Sequence, residues 1–219
     1  PKLIEPLFFR FEPLQRESLE AKVKDLGAKA GLDVSQVRQV DASRRSKHSN
    51  AYFTGIGKVK RIVLFDTLLD QMSDEEIVAI LAHEIGHYKK KHIIKNMGIS
   101  ILQTGIMFAL LSIFLQVPAL FDAFFMDQMS VYAGLFFFGL LYSPIETILG
   151  IGMQVLSRKH EYEADHFAAT TIENREAMID ALKKLSKDNL SNLTPHPFYV
   201  FLNYSHPPVL QRVEAMRGV

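Results

Sequence analysis

Residues Leu81-Ala-His-Glu-Ile-Gly-His-Tyr88 carry the pattern H-E-x-x-H on a stretch that reads as helix. Histidines four residues apart project from one helical face, so the imidazoles of His83 and His87 are spaced to share one tetrahedral metal. Glu84, about 100° round the helix from His83, is placed to hold a metal-bound water without being a ligand. This is the arrangement of zinc hydrolysis. The residues before it write the helix: Ser73 with Glu76 forms a capping box, Asp74 and Glu75 put negative charge at the positive end of the dipole, and Ile77, Val78, Ile80, Leu81 and Ile85 form an apolar face. The helix therefore begins near Ser73. Gly86 lowers helix propensity inside the motif, which predicts a close approach there by a neighbouring helix or the substrate.

Zinc with two histidines needs a third protein ligand, and the chain has no cysteine to supply one. Ser157-Arg-Lys-His-Glu-Tyr-Glu-Ala-Asp165 offers Glu161 with Asp165 four residues on, a ligand carboxylate and an orienting carboxylate on one helical face. Asp165 would then accept from the far ring nitrogen of a ligand histidine. Glu163 is the rival ligand, but it points to the opposite side and lacks an acidic partner at i+4. His160 and His166 read as flanking residues.

With 219 residues and a net charge of +1, the chain is long enough for one large domain or two small ones, and its charge gives no reason to expect a nucleic-acid partner. Its apolar residues fall into two blocks. Met97 to Val117 carries no charge, and Val131 to Leu156 carries only Glu146, so 97–117 and 131–156 are candidate membrane helices, each able to cross a hydrocarbon core about 30 Å thick. Lys89, Lys90, Lys91 and Lys95 precede the first block, and Arg158 and Lys159 follow the second. The connection between the blocks has Asp122 and Asp127 and no basic residue, so both outer ends and the metal motif are expected on the cytoplasmic side. The two helices run antiparallel, which returns the chain to the side it left and brings the Glu161 segment beside His83 and His87. Glu146, next to a break expected at Pro144, reads as a polar anchor or as part of a substrate path.

Around this frame, Leu14 to Ala30 reads as a packing helix capped by Gly31. Val37–Val40, Asn50–Phe53 and Arg61–Phe65 read as three short strands of a small antiparallel sheet, with Gly55 to Lys58 as a turn. Ser49-Asn50-Ala51-Tyr52 is the candidate edge, either one that holds an extended peptide by strand addition or a purely structural strand. A helix from Arg175 to about Lys187 is followed by an aromatic loop around Pro195 to Tyr199. A last helix opens after Ser205-His206-Pro207-Pro208, and His206, at its mouth, is either a donor to an oxyanion or a capping residue.

Taken together, Pro6-Leu-Phe-Phe-Arg-Phe-Glu-Pro13, Ser49-Asn-Ala-Tyr-Phe53, Arg61-Ile-Val-Leu-Phe-Asp-Thr-Leu68, His83-Glu-Ile-Gly-His87, Ser157 to Asp165 and Ser205-His-Pro-Pro208 resemble the CAAX prenyl protease family, the integral-membrane zinc metalloproteases that trim prenylated C-terminal peptides. The resemblance implies one Zn2+ per chain on His83, His87 and Glu161, with Glu84 as base, Asp165 as the orienting carboxylate, His206 as transition-state helper and Arg212 as its charged neighbour. It also implies substrate binding at Asn50 and Ala51. Family members carry further membrane helices before the point where this chain begins, so residues 1–219 are expected to be a single metallopeptidase domain from the C-terminal part of a longer protein. The related HtpX-like membrane proteases share the zinc motifs and the hairpin but act in membrane-protein quality control.

The expected fold is therefore α+β and mainly helical, a zincin-like metallopeptidase with a small sheet and a two-helix membrane hairpin. The expected function is that of a membrane zinc metalloendopeptidase of the CAAX type. Its partners are a peptide or protein substrate, lipidated in the CAAX case, and the lipid bilayer. The membrane would be the inner membrane of a bacterium or the endoplasmic reticulum of a eukaryote. The alternatives are the HtpX-like activity and a non-catalytic scaffold with a structural zinc; Glu84 argues against the scaffold, because a structural site needs ligands and no base.

Overall fold

The computed structural model describes residues 11–41, 51–54 and 59–218. Four strands are present among them: β1 (Phe11–Pro13), β2 (Asp33–Val40), β3 (Ala51–Thr54) and β4 (Val59–Phe65), in the order β1-β2-β4-β3. The helices are α1 (Glu17–Lys29), α2 (Asp66–Gln71), α3 (Asp74–Lys89), α4 (His92–Phe114), α5 (Pro118–Asp122), α6 (Val131–Thr171), α7 (Arg175–Asp188), α8 (Pro197–Asn203) and α9 (Val209–Arg217). The chain is thus mainly helical with one small sheet, the class expected from the sequence. Two compact units share it, one of residues 11–90, 159–196 and 207–218, the other of residues 91–158 and 197–206.

In the first unit the sheet is mixed, which corrects the antiparallel expectation. Its outer pairs, β1 with β2 and β3 with β4, are antiparallel, but β2 and β4 run parallel, with Val37 opposite Ile62 and Val40 opposite Phe65. Parallel neighbours need a crossover of a dozen or more residues, and the long connection from β2 to β4 supplies it. That connection contains β3, which pairs with β4 in register Ala51 to Leu64 and so lies at one edge of the described sheet, with β1 at the other. Asn50 and the Gly55 to Lys58 turn lie outside the described residues, as does most of the Pro6 to Pro13 stretch.

α1 buries Leu19, Val23 and Leu26, one stripe at helical spacing. It stops in a Schellman motif: the Leu32 amide donates to the Gly27 carbonyl at 2.8 Å and the Gly31 amide to Ala28 at 2.9 Å, with Gly31 at φ +65°. α3 follows a cap in which the Glu76 amide donates to Ser73 Oγ at 3.3 Å and the Ser73 amide to Glu76 Oε2 at 2.7 Å. The same carboxylate oxygen accepts from Lys184 Nζ at 2.7 Å, so α7 is tied to the start of α3.

Two cores meet on α3. Ile77, Leu81 and Ile85 pack with α1 and with Val34, Val37, Ile62 and Leu64 of the sheet, while Ala79 packs with Met178, Ile179 and Leu182 of α7 and Val213 and Met216 of α9. Each fully buried aliphatic side chain here stabilises the fold by about 1.5–3 kcal/mol, so α3 is held from both sides. The last turns of α6 enter the same cores through Ala168 and Ala169.

The second unit contains α4, α5, α8 and the longer part of α6. Phe121 is buried, and its ring centroid lies 6.0 Å from that of Phe114; the rings of Phe124 and Phe137 stack at 4.0 Å. Elsewhere α4 and α6 present apolar side chains outward, among them Ile93, Ile101, Leu102, Phe108, Phe136 and Ile148. Only 6% of the most apolar window of each helix is buried, the opposite of a soluble protein's core helix. Both helices are long and apolar enough to cross a membrane.

α6 also corrects the break expected at Pro144. The helix runs unbroken from Val131 to Thr171, with Pro144 inside it. Proline offers no amide to the Leu140 carbonyl four residues back, but Ser143 Oγ donates to that carbonyl at 3.4 Å. The second apolar block and the Ser157 to Asp165 segment are therefore one helix. The loop expected around Pro195 to Tyr199 is in part α8, with Pro197 at its first residue, where a missing amide costs nothing.

Candidate metal centre

The centre is built on α3 and the last turns of α6, with α9 behind them. α3 and α6 come close because Gly86 has no side chain: a Cβ there would lie 3.0 Å from Ala164 Cα and 3.1 Å from its carbonyl oxygen. The close neighbour is α6, which answers the question that Gly86 raises in the sequence.

His83 Nε2 and His87 Nε2 are 3.1 Å apart. Glu161 Oε2 lies 3.5 Å from the first and Glu161 Oε1 3.4 Å from the second. These three residues offer one ligand atom each, all within 4.8 Å of one another, and they are the one such group of three or more among the described residues. Glu163 lies outside the group, with an oxygen 4.0 Å from Lys159 Nζ. His160 and His166 lie outside it too.

Asp165 stands behind His83, its Oδ1 2.9 Å from Nδ1. Arg212, from α9, grips the same carboxylate by both edges: Nε donates to Oδ2 at 2.7 Å and Nη2 to Oδ1 at 2.6 Å. Its Nη1 lies 3.4 Å from Glu161 Oε2, so a single guanidinium serves both carboxylates. Burial works to raise the Asp165 carboxyl, but hydrogen bonds from Arg212 and His83, and their charge, outweigh it and hold the group below the usual carboxylate range. Burial likewise opposes the charge on Arg212, and the hydrogen bond to Asp165 reverses that.

The donor set suits a divalent ion. With Nδ1–H donated to Asp165, His83 keeps its Nε2 lone pair for the metal side. Glu161 and Asp165 are both buried against one buried guanidinium, which leaves an excess of buried negative charge that a cation offsets. Two imidazole nitrogens and one carboxylate form a three-ligand set of the kind that leaves a coordination position open for chemistry. Glu84 is half-buried and makes no side-chain hydrogen bond or ion pair with the described residues.

Of the other residues singled out in the sequence, Ala51 is buried in the edge strand β3, Asn50 is outside the described residues, and exposed His206 belongs to the second unit. Arg212 is the member that spacing alone does not reveal. Its signal is its position among Val209, Val213 and Met216, a charged residue on the apolar face of the last helix.

Residues 13–219 match the family model described as Peptidase family M48. The chain is 35% identical over 232 residues to the CAAX prenyl protease 1 of Saccharomyces cerevisiae, covering 99% of this chain and 51% of that protein. It is 34% identical to the CAAX prenyl protease 1 homolog of Homo sapiens, covering 98% of this chain and 53% of that one. The crystal structure of S. mikatae Ste24p matches with a TM-score of 0.82 at 34% identity, over 98% of this chain and 52% of its own. The chain spans about half the length of the curated relatives it matches.

Proposed function

Since the chain belongs to peptidase family M48, we propose that it is a membrane zinc metalloendopeptidase that trims the C-terminal peptide of prenylated or otherwise membrane-anchored substrates. The observation that carries this reading is the convergence of His83, His87 and Glu161 beside a Glu84 with no other partner among the described residues. In this reading His83, His87 and Glu161 hold one zinc ion. When bound, the ion supplies Lewis acidity and brings the pKa of a coordinated water down to about 7.

The chain's own residues do the rest. Glu84 accepts the proton of the attacking water at its carboxylate and delivers it to the leaving amine nitrogen, which returns the base to its starting state. Asp165 holds His83 in the tautomer that leaves Nε2 unprotonated, and Arg212 holds Asp165. β3, at one edge of the described sheet, suits addition of the substrate as a further strand, with Asn50 and Ala51 as its contacts. His206 is carried as the donor to the developing oxyanion on the resemblance of Ser205-His-Pro-Pro208 alone.

The CAAX type of substrate rests on the similarity to proteins called CAAX prenyl protease 1. The membrane setting rests on the exposed apolar faces of α4 and α6, and the cytoplasmic side on the lysines before α4. Metal content and hydrolysis of a farnesylated peptide, measured together on the purified chain, test the proposal. The expected result is about one zinc per chain, with hydrolysis lost on chelation and restored by zinc. A folded, zinc-loaded chain that hydrolyses nothing would support the scaffold reading instead.

A further inference from the structure

Five polar side chains of the two apolar helices gather in one place. Ser100, Gln103 and Thr104 share one face of α4, and Tyr142 and Glu146, four residues apart, share one face of α6. All five line a single cleft of about 340 Å³ between the helices, floored in part by Gly150. Glu146 is the only charged residue within 97–117 and 131–156. Its carboxylate makes no hydrogen bond or ion pair with the described residues, whereas nearby Thr147 donates to the Ser143 carbonyl at 2.9 Å. Arg158, the next basic residue along α6, is engaged by the carbonyls of Val200 and Tyr204.

A carboxylate at the level of a hydrocarbon core is costly unless a cation or hydrogen-bond donors meet it, and a cation at that level is costly for the same reason. Brought together they neutralise each other. From this cleft we infer a binding subsite for a cationic group, a lysine or arginine side chain or a free ammonium, carried by a peptide substrate held in the membrane. Glu146 is its counter-ion, and Tyr142, Thr104, Gln103 and Ser100 complete its hydrogen bonding. The cleft is at the small end of ligand sites, enough for a side chain and its flanking backbone rather than a folded segment. That the cation is brought by a peptide rests on the peptidase reading above.

The test uses the full chain in lipid vesicles and a series of lipid-anchored peptides, uncharged except for one lysine moved residue by residue. Binding is measured on the chain carrying Glu84→Gln, so that peptide is not consumed, and cleavage on the unaltered chain. One lysine position is expected to bind on the order of tenfold more tightly than its glutamine counterpart. Glu146→Gln should abolish that preference, and Glu146→Lys should transfer it to a glutamate peptide. Glu146→Gln and Glu146→Ala carry the test if the charge reversal does not fold. A lysine preference without any cleavage would support the subsite while counting against the peptidase reading. Equal binding of lysine and glutamine peptides at every position overturns the inference, whether or not the peptides are cleaved. Loss of thermal stability in Glu146→Gln together with equal binding would identify another segment of the protein as the partner and overturn it as well.

Discussion

Asp165 accepts from His83 and from Arg212 at once, with Oδ1 2.9 Å from His83 Nδ1 and 2.6 Å from Arg212 Nη2. The carboxylate therefore fixes the tautomer of a metal-side histidine while being fixed itself by a guanidinium from another helix. Asp165→Asn keeps the size of the side chain but gives up charge and the two-edged grip of Arg212. Zinc affinity or activity should fall by roughly 10 to 100 fold, the usual effect of disturbing a partner behind a metal ligand. Isothermal titration of zinc into the two chains reads this directly; unchanged affinity and activity would remove Asp165 from the centre.

Glu84→Gln separates chemistry from assembly. The amide matches the carboxylate in shape and takes no proton, so zinc content should stay near that of the unaltered chain while turnover drops by about 10² to 10⁴ fold. Parallel loss of metal and turnover would make Glu84 structural.

The choice between Glu161 and Glu163 rests on one helical face. Glu161 converges on His83 and His87, while Glu163 points towards Lys159. Glu161→Ala should leave the purified chain largely metal-free, and Glu163→Ala should leave it loaded. Zinc stoichiometry by atomic absorption decides, and the reverse pattern would overturn the assignment.

Gly86→Ala sets two effects against each other. Alanine favours the helix by about 1 kcal/mol over glycine, but its Cβ would meet the Ala164 backbone of α6 and Phe167 Cβ at 3.0 to 3.2 Å. Backbone does not rotate away, so α6 must shift by a few tenths of an ångström and carry Glu161 with it. The expected outcome is a folded chain with weakened zinc binding and little change in melting temperature. A variant that binds zinc as tightly as the parent would show that the crossing is looser than the distances imply.

What the sequence discloses follows the range of each interaction. The cap on α3, the His83–His87 spacing and the Glu161–Asp165 spacing each fall within a few residues along one helix, so period and chemistry suffice to read each of them. Arg212 reaches Asp165 across 47 residues, and no local rule links them. The parallel pairing of β2 with β4 escaped for the same reason: alternation identifies a strand but not its neighbour. Pro144 misled because the local rule is right about the lost amide and silent about Ser143, whose hydroxyl meets the orphaned carbonyl. Pro197 misled in the other direction, since proline ends helices in their interior and opens them at the first residue.

The membrane setting yields a prediction within the second unit alone. α4 has 23 residues, roughly 34 Å at 1.5 Å per residue, which matches a hydrocarbon core with Lys95 near one end and the α5 region near the other. Lys95, Asp122 and Asp127 are all exposed, and the chain has no cysteine, so single cysteines can be placed on a blank background. Cysteines at Asp122 and Asp127 should react with an impermeant maleimide from the face of sealed vesicles opposite to that of a cysteine at Lys95. In the proposed topology the lysines before α4 keep the Lys95 face in the cytoplasm, where anionic lipid would also hold them. In inverted vesicles the Lys95 position should therefore label first, and Asp122 and Asp127 only after permeabilisation. Labelling of all three from one side would take the hairpin out of the membrane, and the lipid-anchored class of substrate would lose its physical basis with it.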